Sequence, residues 1–278
     1  MSSSSAPPRF AIVTGGAGGL GREFCLQLAR EKWQVAIVDV DRAGAEETAR
    51  LVAVTGGAGR VEHCDVTTID AWLALRDHLH GDWPRLDLLV NNAGMYATGY
   101  VGALDLTEAE RLIRLNLMSV LYGCHTFVPW LVEDLQVRQS AIINVASSFA
   151  FICPPGMAPY NLSKAGVVAL SETLHGELKP CGVGVTVVCP GPMPTRFIEN
   201  ASFGSPAFRR LTETYVRQST LDPAAVAAAA LKASERRQLY VVMGADQRWY
   251  WRIKRLMPVT LLNRVARRVR RDLANTTN

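Results

Sequence analysis

The chain has 278 residues, 49% of them hydrophobic and 20% charged, proportions that exclude a wholly disordered or fibrous polypeptide and suffice for one large core. The net charge of +5 is uneven: nine Lys and Arg against two Asp from Asp246 onward give that segment +7, leaving −2 for residues 1–245. The body is near neutral, and the basic character belongs to the tail.

Met1 to Pro8 is rich in Ser and Pro and has neither a basic n-region nor an apolar h-region. It is expected to be disordered and is not a secretory signal. Phe10–Thr14 is a short apolar run ended by glycines, and a helical pattern follows through Phe24, Leu26 and Leu28. Val35–Asp39 is a second apolar run, closed by an acid. Val61–Val66 predicts a strand, Ile69–Leu79 a helix and Leu86–Val90 a strand. One long helix is expected over 107–133, bent or interrupted at Pro129. Ala141–Val145 and Val183–Cys189 predict strands either side of a helix over Pro159–Lys179, and Leu239–Met243 predicts a last strand.

Unbroken apolar runs of this length suit strands covered on both faces. Their alternation with helices predicts an α/β fold, a single-domain Rossmann-type doubly wound parallel sheet flanked by helices. The domain is expected over 9–245 with a basic amphipathic extension over 246–278. Every apolar run is shorter than the ~20 residues of a membrane span. Cys25, Cys64, Cys124, Cys153, Cys181 and Cys189 form no CxxC pair and have no His at ligand spacing. They are expected to be plain buried side chains in a reducing, cytoplasmic protein with no metal site.

Thr14-Gly-Gly-Ala-Gly-Gly-Leu-Gly21 lies between a strand and a helix. Glycines there permit a tight turn and close approach of a pyrophosphate, and the helix N-terminus offers free N–H groups. Asp39 follows Gly21 by 18 residues, where a carboxylate accepts from ribose hydroxyls and repels a 2′-phosphate. The cofactor expected is NAD, with NADP less favoured; Arg42 is the nearby residue that could instead serve a phosphate.

With Asn91-Asn-Ala-Gly94 and Tyr160-Asn-Leu-Ser-Lys164 added to the glycine loop, the chain resembles the short-chain dehydrogenase/reductase family from about Phe10 to Met243. The resemblance implies an NAD(H)-dependent oxidoreductase that interconverts a carbonyl and a secondary alcohol. It implies a catalytic tetrad of Asn116, Ser147, Tyr160 and Lys164. Cofactor contacts would come from Gly15, Ala17, Gly18, Gly19, Leu20, Gly21 and Asp39, and from Asn92, Ala93 and Gly94. Asp65 and Val66 would touch adenine, Pro190, Gly191 and Thr195 the carboxamide, and Tyr160 and Lys164 the nicotinamide end. Asn116 would hold a water relaying protons towards Lys164. Pairing into a homodimer or homotetramer through the helices near 107–133 and 159–179 is implied as well.

Tyr160 and Lys164, four residues apart, share one helix face. A phenol titrates near 10, and a neighbouring ammonium is expected to lower that value. Tyr160 then gives or takes a proton at the substrate oxygen. Ser147 would hydrogen-bond the same oxygen.

From Thr195 to Leu221 periodicity is poor, and the resemblance implies a mobile lid. Met95, Tyr96, Phe149, Phe151, Met157, Phe197 and Phe203 are candidates for an apolar substrate pocket, chief among them Met95, Phe149, Met157 and Phe197. The tail interleaves Trp249, Trp251 and Leu256 with basic residues, and Leu261, Val265 and Val269 recur every four residues. A helix packed on its own body is favoured over one lying on anionic membrane, and nucleic-acid binding is not expected. Two other functions stay open: a non-catalytic nucleotide-binding scaffold or sensor, and a membrane-associated reductase of lipid-like ketones.

Overall fold

The computed structural model describes residues 7–133, 140–199 and 201–277. Most of the start expected to be disordered therefore lies outside the described residues, and the carbonyl of Pro8 accepts from Arg85.

The chain runs β1 (Arg9–Thr14), α1 (Gly19–Arg30), β2 (Trp33–Asp39), α2 (Arg42–Val54), β3 (Ala58–His63), α3 (Ile69–Asp82) and β4 (Leu88–Asn91). A short β5 (Ala97–Thr98) precedes α4 (Leu106–Ile113), a π-helical turn over Arg114–Met118 and α5 (Ser119–Glu133). Then come β6 (Ala141–Val145), α6 (Phe149–Ile152), α7 (Ala158–Leu178), β7 (Gly184–Cys189), β8 (Ser202–Phe203) and α8 (Pro206–Arg217). The chain closes with α9 (Pro223–Glu235), β9 (Tyr240–Val242), α10 (Ala245–Leu256) and α11 (Pro258–Thr277).

Among the described residues seven strands form one parallel sheet in the order β3-β2-β1-β4-β6-β7-β9. The strand order reverses at β1 and β4, and the crevice beyond their C-terminal ends is where such sheets bind ligands. Alternation along β1 shows why both faces are buried. Phe10 and Ile12 enter the core with Trp72, Phe127 and Val167, under α3, α5 and α7. Ala11 and Val13 enter the opposite core with Phe24, Leu28 and Val226, under α1 and α9.

Several elements differ from expectation. The strand expected over 61–66 pairs over Ala58–His63 instead, because its register follows β2, with Gln34 opposite Ala58 and Asp39 opposite His63. Cys64 and Val66 are buried beyond the strand end, so the apolar signal was that of a loop entering the core. Pro129 lies inside the continuing α5, and the irregularity falls at the π turn carrying Asn116. A π turn of this kind is a frequent mark of a functional site.

The helix spanning Leu106–Glu133 also has the length and apolarity of a membrane span, although half of its most apolar window is buried within the protein. The segment after Thr195 is not structureless throughout. It contains α8, N-capped by Ser205, whose hydroxyl accepts from the Phe208 N–H at 3.3 Å. Contrary to the poor periodicity expected there, α8 is amphipathic, burying Phe208, Leu211 and Thr212 on one side. The tail forms two helices, and its four-residue stripe of Leu261, Val265 and Val269 packs on Ile152 of α6 and Leu211 of α8.

Candidate active site

The glycine loop is laced to the loop after β4. Thr14 Oγ1 accepts the N–H groups of Asn92 and Ala93 at 2.9 and 3.1 Å. The Asn92 amide donates to the carbonyls of Thr14 and Gly15 at 2.9 and 3.3 Å. Gly21 lets α1 pack against this turn, since a Cβ there would stand 2.0 Å from the Gly15 carbonyl oxygen. Gly15 has φ +66°, a left-handed conformation that glycine adopts without strain. The N-cap of α1, Gly18, contributes no side chain to the first N–H groups, which leaves them for an anion.

Asp39 closes β2 with both carboxylate oxygens engaged, accepting from the N–H groups of Ala17 and Asp41 at 3.0 Å each. Each oxygen retains a lone pair for a further donor. Asp41 lines the cleft beside it. Arg42, the residue that could have served a phosphate, pairs with Glu46 at 2.9 Å.

At the other end of the cleft, Tyr160 and Lys164 project from the first turns of α7 and are buried. The Lys164 Nζ donates to the Val145 carbonyl at 2.9 Å and lies 6.0 Å from the Tyr160 ring centre. Ser147, just beyond β6, hydrogen-bonds the Tyr160 phenol and accepts the Phe149 N–H at 3.2 Å. The Tyr160 ring is held edge-on by Tyr96 and Phe149, with centres 5.0 and 6.1 Å away.

Burial pushes the Tyr160 phenol up to about 12, opposed by the Ser147 hydrogen bond. This departs from the expectation that Lys164 would pull the phenol down: desolvation is the dominant cause, and the Lys164 ammonium is directed at the Val145 carbonyl. Burial lowers Lys164 to about 8, with Cys189 acting in the opposite direction.

Asn116 does not line the cleft. Its side-chain oxygen accepts the Met95 N–H at 2.7 Å, and its amide donates to the Met95 carbonyl at 2.9 Å and to Ser163. A Cβ on Gly94 would stand 3.0 Å from the Asn116 oxygen and 3.5 Å from Lys164 Nζ, so the two side chains flank that glycine.

The cleft, about 400 Å³, gathers most of the candidates. Gly15, Ala17, Gly18, Gly19, Leu20 and Asp39 line it with Asn92, Ala93 and Gly94. Ser147, Tyr160, Lys164, Pro190, Gly191 and Thr195 complete that wall, and Met95, Phe149 and Phe197 line the apolar end. Gly21 lies behind the loop. Met157 is buried beneath the pocket, its sulfur accepting from the Tyr96 hydroxyl at 3.3 Å. Phe151 and Phe203 also stand outside the lining. Asp65 is exposed, accepting from the N–H and hydroxyl of Thr67 at 2.9 and 2.7 Å, while Val66 is buried in the core.

Tertiary structure adds lining residues that no motif announced, notably Thr212, Tyr215 and Val216 of α8. Among the described residues lining the cleft, Lys164 is the one basic side chain.

The sequence matches the short chain dehydrogenase family over residues 9–203. It is 33% identical over 194 residues to a probable oxidoreductase, EphD, of Mycobacterium bovis, covering 70% of this chain and 32% of that protein. The chain thus spans about a third of that relative's length. It is 32% identical to 3beta-hydroxysteroid dehydrogenase 1 of Eggerthella lenta, covering 83% of this chain and 88% of the relative. A short chain dehydrogenase/reductase from Burkholderia phymatum, solved with NAD, superposes with a TM-score of 0.79 at 26% identity, over 84% of this chain and 88% of that one. On the extent of the match, and with the parallel sheet and cleft in agreement, the chain belongs to the short-chain dehydrogenase/reductase family of oxidoreductases.

Proposed function

We propose that the protein is an NAD(H)-dependent oxidoreductase interconverting a carbonyl and a secondary alcohol on a small hydrophobic substrate. The observation that carries this reading is the convergence of Ser147, Tyr160 and Lys164 at one end of a cleft whose other end is a glycine cradle.

The cradle suits a dinucleotide: Gly15, Ala17, Gly18, Gly19 and Leu20 would hold the pyrophosphate. Asp39 would hold the adenosine ribose, while Asn92 to Gly94 would support the middle of the cofactor. Pro190, Gly191 and Thr195 would flank the nicotinamide. When bound, the nicotinamide supplies or accepts the hydride. Tyr160 donates a proton to the carbonyl oxygen in reduction, or takes it from the alcohol in oxidation. Ser147 donates a hydrogen bond to the same oxygen as charge develops on it. Lys164 would offer its ammonium to the nicotinamide ribose of the bound cofactor. Asn116 fixes the Met95 backbone, which forms the floor of the apolar end.

A phenol held near 12 is protonated at neutral pH, which suits Tyr160 to the role of acid in the reducing direction. Met95, Tyr96, Phe149, Phe197 and Ile198 make the substrate end apolar. The 3beta-hydroxysteroid relative is a similar protein whose name points to a hydrophobic alcohol. Exposed Leu121 and Leu162, on α5 and α7, support pairing of two copies through these helices.

The test is a panel of ketones and secondary alcohols read by the absorbance of reduced nicotinamide. Turnover of apolar members with NADH supports the reading. Tight NADH binding without turnover of any member favours the non-catalytic sensor instead.

The preference for NAD rests on Asp39 and Asp41 at the adenosine end, where a 2′-phosphate would meet two carboxylates. Asp39→Ala is expected to weaken NADH binding about tenfold, the loss of a charged hydrogen-bond partner, while leaving NADPH binding unchanged or improved. Fluorescence titration with both nucleotides measures it. A wild type that already binds NADPH more tightly than NADH contradicts the assignment.

A further inference from the structure

The tail divides its apolar side chains between two places. Leu261, Val265 and Val269 are buried against α6 and α8. Trp249, Leu256, Met257 and Val259 are 48%, 83%, 53% and 68% exposed. Leu256, Met257 and Val259 form the corner where α10 gives way to α11 at Pro258. Trp249 precedes Leu256 by seven residues, two helical turns, and so shares its side of α10. Arg248, Arg252 and Arg255 are exposed and spaced by four and three, which sets them along that same side.

These cations lack local neutralisation. Asp272 takes Arg268 and Arg271 at 3.6 and 3.3 Å, whereas among the described residues no carboxylate pairs with Arg248, Arg252, Arg264 or Arg267. The surface is thus an apolar corner, with a tryptophan, rimmed by the guanidinium groups of Arg248 and Arg252, with which no carboxylate pairs among the described residues, and of Arg255, which stacks over the Trp251 ring at 3.9 Å. A second copy docking face to face would set two segments of +7 against each other, which opposes self-association there. A polyanion without an apolar phase would leave the four exposed apolar side chains in water.

We propose that the α10–α11 corner docks on an anionic lipid surface. Trp249, Leu256, Met257 and Val259 enter the boundary between headgroups and acyl chains, and Arg248, Arg252 and Arg255 lie on lipid phosphates. The docking surface and the outer wall of the cleft belong to one packed unit. The Tyr215 hydroxyl of α8 donates to Asp272 of α11 at 2.7 Å, and Tyr215 lines the cleft. Membrane docking stands on the tail alone and does not depend on the oxidoreductase reading.

Flotation of the full-length protein with vesicles tests it, using phosphatidylcholine alone or mixed with phosphatidylglycerol, at low and high salt. Wild type is expected to float with the mixed vesicles, several-fold less with neutral ones, and less again as salt screens the arginines. Leu256→Ser with Met257→Ser is expected to lower partitioning at least about tenfold, as insertion of two large apolar side chains is forfeited. Arg248→Gln and Arg252→Gln are each expected to cost roughly fivefold on anionic vesicles. All these side chains are exposed, and unchanged circular dichroism and melting verify that the variants fold. Equal flotation with neutral and anionic vesicles, or variants that partition like wild type, would overturn the proposal. So would a smaller oligomer for Leu256→Ser with Met257→Ser in sedimentation, which would show that a second copy covers the corner.

Discussion

Tyr160→Phe is expected to lower kcat about a thousandfold or more while leaving the affinity for NADH unchanged. The substitution removes one hydroxyl and keeps the ring, so the edge-on contacts with Tyr96 and Phe149 survive. What goes is the proton donor. General acid–base catalysis contributes roughly 10²–10⁴-fold, and a thousandfold loss corresponds to about 4 kcal/mol of barrier. Ser147 cannot replace it, because a serine hydroxyl is a far weaker acid than a phenol: its O–H can hydrogen-bond the substrate oxygen but does not give up its proton. Stopped-flow or steady-state absorbance gives kcat, and fluorescence quenching gives NADH binding. A folded variant that retains most of its turnover removes Tyr160 from the mechanism. In the wild type, a phenol pushed up to about 12 predicts a reduction rate that is flat across neutral pH and an oxidation rate that climbs with pH.

Lys164→Met is expected to abolish activity and yet melt at a higher temperature than wild type at pH 7. Burial lowers the ammonium from 10.5 to about 8, so the folded state disfavours the charged form by on the order of 3 kcal/mol. Losing the hydrogen bond to the Val145 carbonyl returns about 1–2 kcal/mol of that. The net gain of one or two kcal/mol corresponds to a rise of roughly 2–6 °C for a chain of this size.

The pH dependence separates this cause from simple repacking. Below pH 8 the lysine is charged in folded and unfolded chains alike, and the penalty is felt in full. Between 8 and 10.5 the folded chain has released the proton while the unfolded chain still holds it, so wild type gains stability relative to the variant. The difference in melting temperature should therefore shrink as pH rises through this window. A variant less stable than wild type at pH 7, or a pH-independent difference, contradicts the account. The stability cost at Lys164 would be what the site incurs to keep an ammonium in a dry cleft.

Part of the fold and site was legible from the residues because it depends on short-range chemistry. Unbroken runs such as Phe10–Thr14 and Val35–Asp39 announce strands covered on both sides, and they lie in β1 and β2. The glycine loop and the i, i+4 pair of Tyr160 and Lys164 are local patterns, and the structure brings both to one cleft. Where distant partners decide, local pattern was insufficient. The bounds of β3 follow its register with β2, not the apolar run through Val66. Asn116 turns to the Met95 backbone because a π turn rotates the helix there, a widening that no residue type signals.

Electrostatics, too, are a property of assembly. Tyr160 and Lys164 being neighbours is written in their spacing, but the strength of their coupling depends on how much water the finished core excludes. Folding buried both, and desolvation moved the phenol up instead of down. The tail shows the same division. A stripe repeating every four residues predicts a helix with one apolar face, whereas its docking on α6 and α8, leaving the Leu256–Val259 corner in water, follows from where the chain had already placed those helices. Sequence determines which side chains seek burial; only the assembled fold decides which of them find it.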